Sequence, residues 1–260
     1  MNTTARRAAA ALALIGTGLA ATAACSSDSG EDTLTVCTNI PFEPFEYRED
    51  GEYVGFDMDL MQLLADRLDQ TVEVVEIDFD SIGSGSALNA GTCDIAAAGI
   101  SITEERKDAM GMSQAYYRAD QALVVPSGSA VTSLEDLSGL KVAVQSGTTG
   151  KSYADDNAEA YGYEVIEFET MGDIASALTA ESVDASIADL ATWNKMIESA
   201  PELQLVQSIV TEEHYAFAVQ KDDTELLDEV NAMLTEAFDD GTYAELYEKW
   251  IGEPYTGDQQ

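Results

Sequence analysis

The sequence predicts an α/β protein of two lobes, each a mainly parallel sheet flanked by helices, joined by a hinge of two strands. Short apolar strand segments alternate with helical segments over most of the chain after residue 32, as in parallel sheets with helices on both faces. The alternation forms two series, and the second begins near Gln121. A late strand segment at 215–219 can return to the first series, so the chain would cross between the lobes twice.

Apolar runs and helix-start residues define the first series. Asp57 can cap a helix whose apolar face repeats at helical spacing through Met61, Leu64, Ala65 and Leu68. Thr103 can cap a further helix, and the acidic residues that follow it suit the first turn. The expected elements are strands at 34–38, 72–77 and 94–99, and helices that follow the Asp57 cap and reach Leu68, lie around 87–90 and begin after Thr103.

The second series repeats this alternation and then closes with helices. Two terminal helices are separated by the turn Asp239-Asp240-Gly241, and residues 252–260 read as a loose tail. The expected strands are 122–125, 141–144, 165–168, 184–188, 203–210 and 215–219. The expected helices follow Gly150 and cover 173–180, 191–199, 224–238 and 242–250.

The N-terminal region reads as an export signal over 1–24. Arg6 and Arg7 precede an uncharged stretch that ends in small residues. A transmembrane anchor is the alternative, but the stretch is short for crossing a bilayer. Thr22-Ala23-Ala24-Cys25 resembles a bacterial lipobox, which implies a lipid on Cys25, followed by a polar tether over 25–32.

Composition excludes several classes of protein. The chain has 12 basic and 49 acidic residues, a net charge of −37, which repels nucleic acid and anionic lipid. The lone His214 leaves no metal cluster and no Ser-His-Asp set to assemble. Cys37 and Cys93 lie on strands expected to be neighbours, and an exported protein favours their disulfide over two buried free thiols.

Three features at strand ends or helix starts can bind a small zwitterion. Arg106 can take a carboxylate bidentately, or pair at the surface with a neighbouring glutamate. The glycine-containing loop 145–150 can offer backbone N–H groups to an anion, or be an ordinary turn. Asp189 can hold an ammonium group, or cap the helix after it. Phe42 and Phe79 follow the first two strands and can flank a side chain, although either can be core.

These pieces, in this order, resemble the bacterial extracellular solute-binding proteins of family 3, the receptors of polar amino-acid ABC importers. The resemblance covers about residues 33–251. The stretches that carry it are 44–47, Gly55-Phe56-Asp57-Met58-Asp59-Leu60, 88–94, 99–106, 134–139, 145–149, 221–226 and 240–243. It implies the type II periplasmic-binding-protein-like fold, with lobe 1 over 33–117 plus 216–260 and lobe 2 over 118–215.

The resemblance also implies roles at matching positions. Arg106 would bind the α-carboxylate with the backbone N–H groups of Ser101 and Thr149. Asp189, the Gly99 carbonyl and the Ser101 hydroxyl would bind the α-ammonium, and the two phenylalanines would flank the side chain. Asn39 stands where the family often has Asp, which leaves neutral polar and cationic ligands open. No cofactor or metal is expected.

The expected function is therefore ligand capture outside the cytoplasm by lobe closure, by a lipid-anchored monomer that delivers a free amino acid to an ABC permease. One alternative is an exported dehydratase acting on cyclic amino-acid precursors, for which Glu43 is the candidate general acid. Another is a ligand-sensing module. We expect no signalling domain after residue 260, which favours the importer over the sensor.

Overall fold

The fold is a pair of α/β sheets arranged as two lobes. A computed structural model describes residues 33–257. The predicted export signal, tether and Cys25 lipid site, and the last three residues of lobe 1, lie outside this range. The strands are β1 (Thr33–Thr38), β2 (Tyr47–Glu49), β3 (Glu52–Val54), β4 (Thr71–Glu76), β5 (Ile95–Ala96), β6 (Gly111–Met112), β7 (Tyr117–Pro126), β8 (Lys141–Gln145), β9 (Glu164–Phe168), β10 (Ala185–Asp189), β11 (Leu203–Tyr215) and β12 (Ala218–Val219).

Helices cover the sheets, and a short 3-10 turn at Leu134–Asp136 precedes β8. Most helices start where the sequence predicts, because capping side chains fix their first turns. Thr103, Thr148, Thr170 and Asp223 each accept a backbone N–H. The helices are α1 (Phe56–Leu68), α2 (Phe79–Gly83), α3 (Ser86–Asn89), α4 (Glu104–Ala109), α5 (Thr149–Tyr161), α6 (Met171–Thr179), α7 (Leu190–Ser199), α8 (Thr224–Asp240) and α9 (Thr242–Ile251).

Each sheet has five strands, of which four run in one direction. The first has the order β4-β1-β5-β12-β6, with β12 antiparallel to both neighbours. The second has the order β11-β7-β10-β8-β9, with β7 antiparallel to both neighbours. The carboxyl ends of the parallel strands in each sheet therefore share one edge, which is where such sheets bind ligands.

The chain crosses between the sheets at two adjacent points, as predicted for a two-strand hinge. One crossing lies between β6 and β7, the other between β11 and β12. The two segments are hydrogen-bonded to each other, since the Tyr116 N–H donates to the Tyr215 carbonyl and the Ser113 N–H donates to the Phe217 carbonyl. The hinge is therefore a paired ribbon and not two independent linkers.

Several details differ from the sequence-based expectation. Asp57 does not cap α1, because the helix begins at Phe56 and the Asp57 carboxylate is buried, accepting a hydrogen bond from the Tyr116 hydroxyl. The strands predicted at 203–210 and 215–219 are instead one long strand, β11, followed by the short β12. The β2–β3 hairpin, α2 and β6 were not predicted, since each is only two to five residues long.

A disulfide between Cys37 and Cys93 cross-links the core of the first lobe. The cysteines lie on β1 and just before β5, which are hydrogen-bonded neighbours. Their Cα atoms are 5.6 Å apart, inside the range that a disulfide can bridge. The preference for a bridge over two free thiols therefore matches the structure.

Candidate functional site

A small, narrow cavity lies between the lobes and is lined by residues of both. Four larger grooves elsewhere in residues 33–257 are not lined by any buried charged side chain. The structure brings all eight predicted ligand-binding residues to the cavity wall. These are Asn39, Phe42, Phe79, Gly99, Ser101, Arg106, Thr149 and Asp189, and they are joined there by Ala98, Gln145 and Thr148.

Arg106 is a buried guanidinium in the first turn of α4. Only 6% of it is exposed, and within the described residues it has no carboxylate at ion-pair distance, while the neighbouring Glu104 pairs with Lys107 at the surface. Its Nη1 donates to the Ser101 carbonyl at 2.8 Å and its Nη2 to the Gly147 carbonyl at 3.0 Å. Burial lowers its pKa, but an arginine stays protonated in proteins. The alternative of a surface ion pair is therefore wrong.

Asp189 ends β10 on the opposite lobe and is also buried, with 7% exposed. Its Oδ1 accepts from the Tyr215 hydroxyl at 2.7 Å and from Gln121 Nε2 at 3.2 Å. The side chain does not cap α7, although Asp189 directly precedes that helix. Burial, and after it the charge of Glu213, raise the pKa of Asp189 to about 7. The carboxyl is thus free to face the cavity and is held in one orientation.

Part of the cavity wall consists of aromatic and amide side chains. The Phe79 ring lies under the Arg106 guanidinium, 5.3 Å from its Cζ. Asn39 donates from Nδ2 to the Ile77 carbonyl and accepts at Oδ1 from Gln145 Nε2, both at 2.7 Å. Because Asn39 and Gln145 belong to different sheets, this amide pair links the lobes across the cavity.

The loop that follows β8 brings the second lobe close to the first. Thr148 caps α5 by accepting the Lys151 N–H, so the backbone N–H groups of the first turn are available at the cavity. Gly147 has φ +73°, and a Cβ there would lie 2.8 Å from the Asp80 Cα of the first lobe. Only glycine therefore permits this approach of the two backbones.

Three residues that contact the cavity wall without lining the cavity were not predicted as ligand-site residues. Gln121, Tyr215 and Glu213 hold or face the predicted residues through hydrogen bonds. Glu43, the candidate general acid, does not line the cavity. The described residues contain no group of three metal-ligating side chains. No helix within 33–257 is long and apolar enough to span a membrane.

The site therefore has a buried cation on one lobe and a buried carboxylate on the other, which defines a two-lobed binding protein for a small zwitterion. Comparison with known proteins identifies the family. Residues 34–253 match the model of the bacterial extracellular solute-binding proteins, family 3, so the chain belongs to that family and is extracytoplasmic.

Curated relatives are binding proteins of this kind. The arginine-binding extracellular protein ArtP of Bacillus subtilis is 30% identical over 227 residues, covering 86% of this chain and 88% of ArtP. The ABC transporter glutamine-binding protein GlnH of Bacillus subtilis is 32% identical over 237 residues, covering 89% and 85%. Both matches extend over both lobes.

Solved structures agree in fold. An ancestral arginine-binding protein bound to glutamine superposes with a TM-score of 0.80 at 39% identity, covering 85% of this chain and 98% of that one. The ancestral amino acid-binding protein AncCDT-1, a precursor of cyclohexadienyl dehydratase, gives 0.78 at 35% identity, covering 84% and 95%. The periplasmic-binding-protein-like architecture predicted from the sequence is thereby confirmed.

Proposed function

We propose that this protein is the receptor of an ABC importer and binds one free polar L-amino acid by closing its lobes. The observation that carries the proposal is that Arg106 and Asp189 are buried on opposite lobes and line one cavity. An amino acid has a carboxylate and an ammonium on one carbon, so it can bridge the two. The relatives named for arginine, glutamine and histidine support this ligand class.

Each end of the ligand has a matching set of groups. Arg106 and the backbone N–H groups of Ser101 and Thr149 bind the α-carboxylate, since charge-assisted hydrogen bonds are the strongest available. Asp189, the Gly99 carbonyl and the Ser101 hydroxyl bind the α-ammonium. Phe42 and Phe79 flank the ligand side chain, and Asn39 faces it with an amide in place of a charge. Neutral polar and cationic side chains both suit this cavity.

Closure follows from the division of these groups between the lobes. The open form binds the ligand on the first lobe, and Thr149 and Asp189 arrive with the second. A ligand stabilises closure only through contacts that the open form lacks. Reversing a mostly open equilibrium requires about 5.5 kcal/mol of differential affinity. The contacts that a ligand makes with Arg106, with Asp189 and with the aromatic side chains are strong enough together to supply this differential affinity.

The remaining features of the protein follow from this function. We propose lobe boundaries at 117/118 and 215/216, close to the two points where the chain changes sheet, which lie between β6 and β7 and between β11 and β12. We further propose that the signal over 1–24 is removed, that a lipid on Cys25 anchors the monomer through the 25–32 tether, and that a membrane permease receives the closed form. Mass spectrometry of the mature N-terminus tests the lipid directly.

The amino-acid site is tested by Arg106→Ala. We expect loss of at least about a hundredfold in affinity by calorimetry, with unchanged circular dichroism, because a ligand carboxylate would lose the guanidinium that lines the cavity. The exposed Arg118→Ala is the matched control and should bind as the wild type does. The ligand is first found by a thermal-shift screen of the twenty amino acids, in which a bound ligand raises Tm. Tight binding by Arg106→Ala would refute the assigned site.

The dehydratase alternative is favoured by one neighbour, the precursor of cyclohexadienyl dehydratase. Asp189 is the carboxyl in the cavity with a pKa near neutrality, so it replaces Glu43 as the candidate acid. Incubation with a cyclic amino-acid precursor separates the two functions. We expect no turnover, whereas turnover abolished by Asp189→Asn would establish an enzyme.

A further inference from the structure

Glu213 lies behind the cavity wall and contacts hydroxyls from both lobes. Its Oε2 accepts from the Ser101 hydroxyl at 2.6 Å and from the Thr149 hydroxyl at 2.5 Å. Its Oε1 accepts from Gln121 Nε2 at 3.2 Å, and the same amide nitrogen donates to Asp189. Glu213 does not itself line the cavity, but the residues that it contacts, Ser101 and Thr149, do.

A local irregularity in β11 places Glu213 at this position. The pairing of β11 with β7 shifts register between Ile209 and Glu213, and bulges of this kind redirect side chains next to binding sites. Glu212 takes a positive φ of 54°, which is uncommon for a residue other than glycine. Asp120 stabilises the irregular turn, since its Oδ1 accepts the Thr211 N–H at 3.0 Å and the Glu212 N–H at 3.1 Å.

The contact of Glu213 with the two hydroxyls affects which ligand groups they can bind, because a hydroxyl has a limited hydrogen-bonding capacity. A serine or threonine hydroxyl has one proton to donate and two lone pairs to accept with. Glu213 takes the single proton of both Ser101 and Thr149. These hydroxyls can then only accept hydrogen bonds from a ligand. An ammonium group is donor-only and matches them, whereas an α-hydroxyl or α-keto oxygen finds fewer donors.

We propose that Glu213 is a positioning residue that acts through Ser101 and Thr149 to make the cleft select an α-ammonium and reject α-hydroxy acids of the same side chain. This inference rests on the proposed function, because it assumes that the ligand ammonium lies at the Asp189 end of the cavity. Glu213 also adds a negative charge beside Asp189, which favours a cationic group there over a neutral one.

The test compares matched pairs of ligands. Wild type and variants are titrated by calorimetry with the tightest of the twenty L-amino acids and with its α-hydroxy counterpart, such as argininic acid for arginine or lactic acid for alanine. Glu213→Ala is expected to weaken amino-acid binding and to reduce the amino-to-hydroxy affinity ratio by about ten- to a hundredfold, since bonds to a charged acceptor orient the two hydroxyls.

Two further variants separate the causes. Glu213→Gln keeps an acceptor oxygen but removes the charge, so it should give a ratio between those of wild type and Glu213→Ala. Glu212→Gln removes the same charge from the exposed neighbouring residue and should leave the ratio unchanged. A purely structural role would weaken both ligands equally and leave the ratio constant, which would overturn the proposal.

The remaining outcomes are also informative. Tighter amino-acid binding by Glu213→Ala would show that Glu213 competes with the ligand for the two hydroxyls, and would likewise overturn the proposal. If none of the twenty amino acids binds the wild type, the proposed function itself fails. Amino-acid binding with an unaltered ratio in every variant refutes only the role of Glu213.

Discussion

Arg106 and Asp189 are both buried charged residues, but the protein offsets the cost of burying them in different ways. Arg106 is bonded to two carbonyl oxygens and has no carboxylate partner within ion-pair distance in the described chain. Asp189 has two neutral donors and a raised pKa. Burying a charge without a full partner is costly, so each residue retains unused capacity for an opposite charge. A zwitterionic ligand supplies both charges at once, which is why these two residues define the site.

The raised pKa of Asp189 predicts that affinity depends on pH. In the closed cleft without ligand the carboxyl is largely protonated below about pH 7, whereas a ligand ammonium requires the ionised form. Affinity should therefore rise by up to about tenfold between roughly pH 6 and pH 8, as the ionised fraction of the closed, ligand-free form rises. Binding near neutrality should also release a proton. Calorimetry in buffers of different ionisation enthalpy measures both effects.

Asp189→Asn is the control for this pH dependence. The amide does not titrate, so the variant should bind more weakly and show a flat profile over the same range. Arg106 contributes no slope, because it remains protonated throughout. An affinity that falls as the pH rises from about 6 to 8 would contradict the assignment of Asp189 to the ammonium.

At the scale of elements, residues that follow strands joined by parallel pairing were predictable, and those on the antiparallel pair β7–β11 were not. Asn39, Phe42, Phe79, Gly99 and Asp189 follow or end strands of the two parallel sets, whose carboxyl ends converge on one edge. That convergence is a property of the fold class and needs no knowledge of register. The strand pattern alone pointed to Phe42, Phe79 and Asp189, whereas Asn39 and the role of Gly99 came from the family resemblance.

Glu213 was missed for a physical reason. Its direction depends on a register shift in β11 and on a positive φ at Glu212. Sequence reasoning looks for glycine or asparagine at such positions, and Glu212 gives neither signal. The polar run from Thr211 to His214 instead predicted a break between two strands. Tertiary pairing with β7 and the Asp120 carboxylate impose the conformation.

The loop between β8 and α5 provides a prediction about closure. Gly147→Ala should lower ligand affinity by about tenfold or more, because its Cβ would lie 2.8 Å from the Asp80 Cα across the cleft, and the closed state alone makes that contact. The lobes themselves should stay folded, since the three atoms nearest to that Cβ all belong to Asp80 of the first lobe. Calorimetry gives the affinity, and solution scattering gives the fraction of closed protein with saturating ligand.

Gly139→Ala is the matched control for backbone strain. Gly139 has φ +79°, close to that of Gly147, but its Cβ would meet nothing within 4 Å. Both variants carry the left-handed penalty of about 1–2 kcal/mol and should lose similar Tm. Only Gly147→Ala should lose affinity, so equal affinity losses would mean that strain, and not inter-lobe contact, explains the effect.

For the whole molecule, the closed form is held together by the residues that would bind the ligand. Hydrogen bonds of these residues join the two lobes. Arg106 donates to the Gly147 carbonyl, Gln145 donates to Asn39, and the Ser101 hydroxyl donates to Glu213. Each involves a residue that lines the cavity. A ligand entering this cleft therefore adds to an existing inter-lobe network. Closure and specificity depend on the same side chains.

Buried carboxyl groups predict an unusual pH dependence of stability. Burial raises the pKa of Asp57 and of Asp189 to about 7 and that of Glu46 well above its ordinary value. These groups titrate near pH 4 in the unfolded chain, so between about pH 4 and pH 7 the folded state holds more protons. Stability therefore falls as the pH rises through this window. The ligand-free protein should have a higher Tm at about pH 5 than at about pH 8.

Scanning calorimetry of the ligand-free protein at the two pH values measures this difference, and two controls assign it. Asp57→Asn should reduce the difference, because the amide keeps an acceptor for the Tyr116 hydroxyl but no longer titrates. Roughly 1 M salt screens repulsion among the exposed acidic residues but not the desolvation of buried groups, so the trend should persist. A trend that vanishes in salt would assign it to the net charge of −37, and a lower Tm at the acidic pH would contradict the buried-carboxyl explanation.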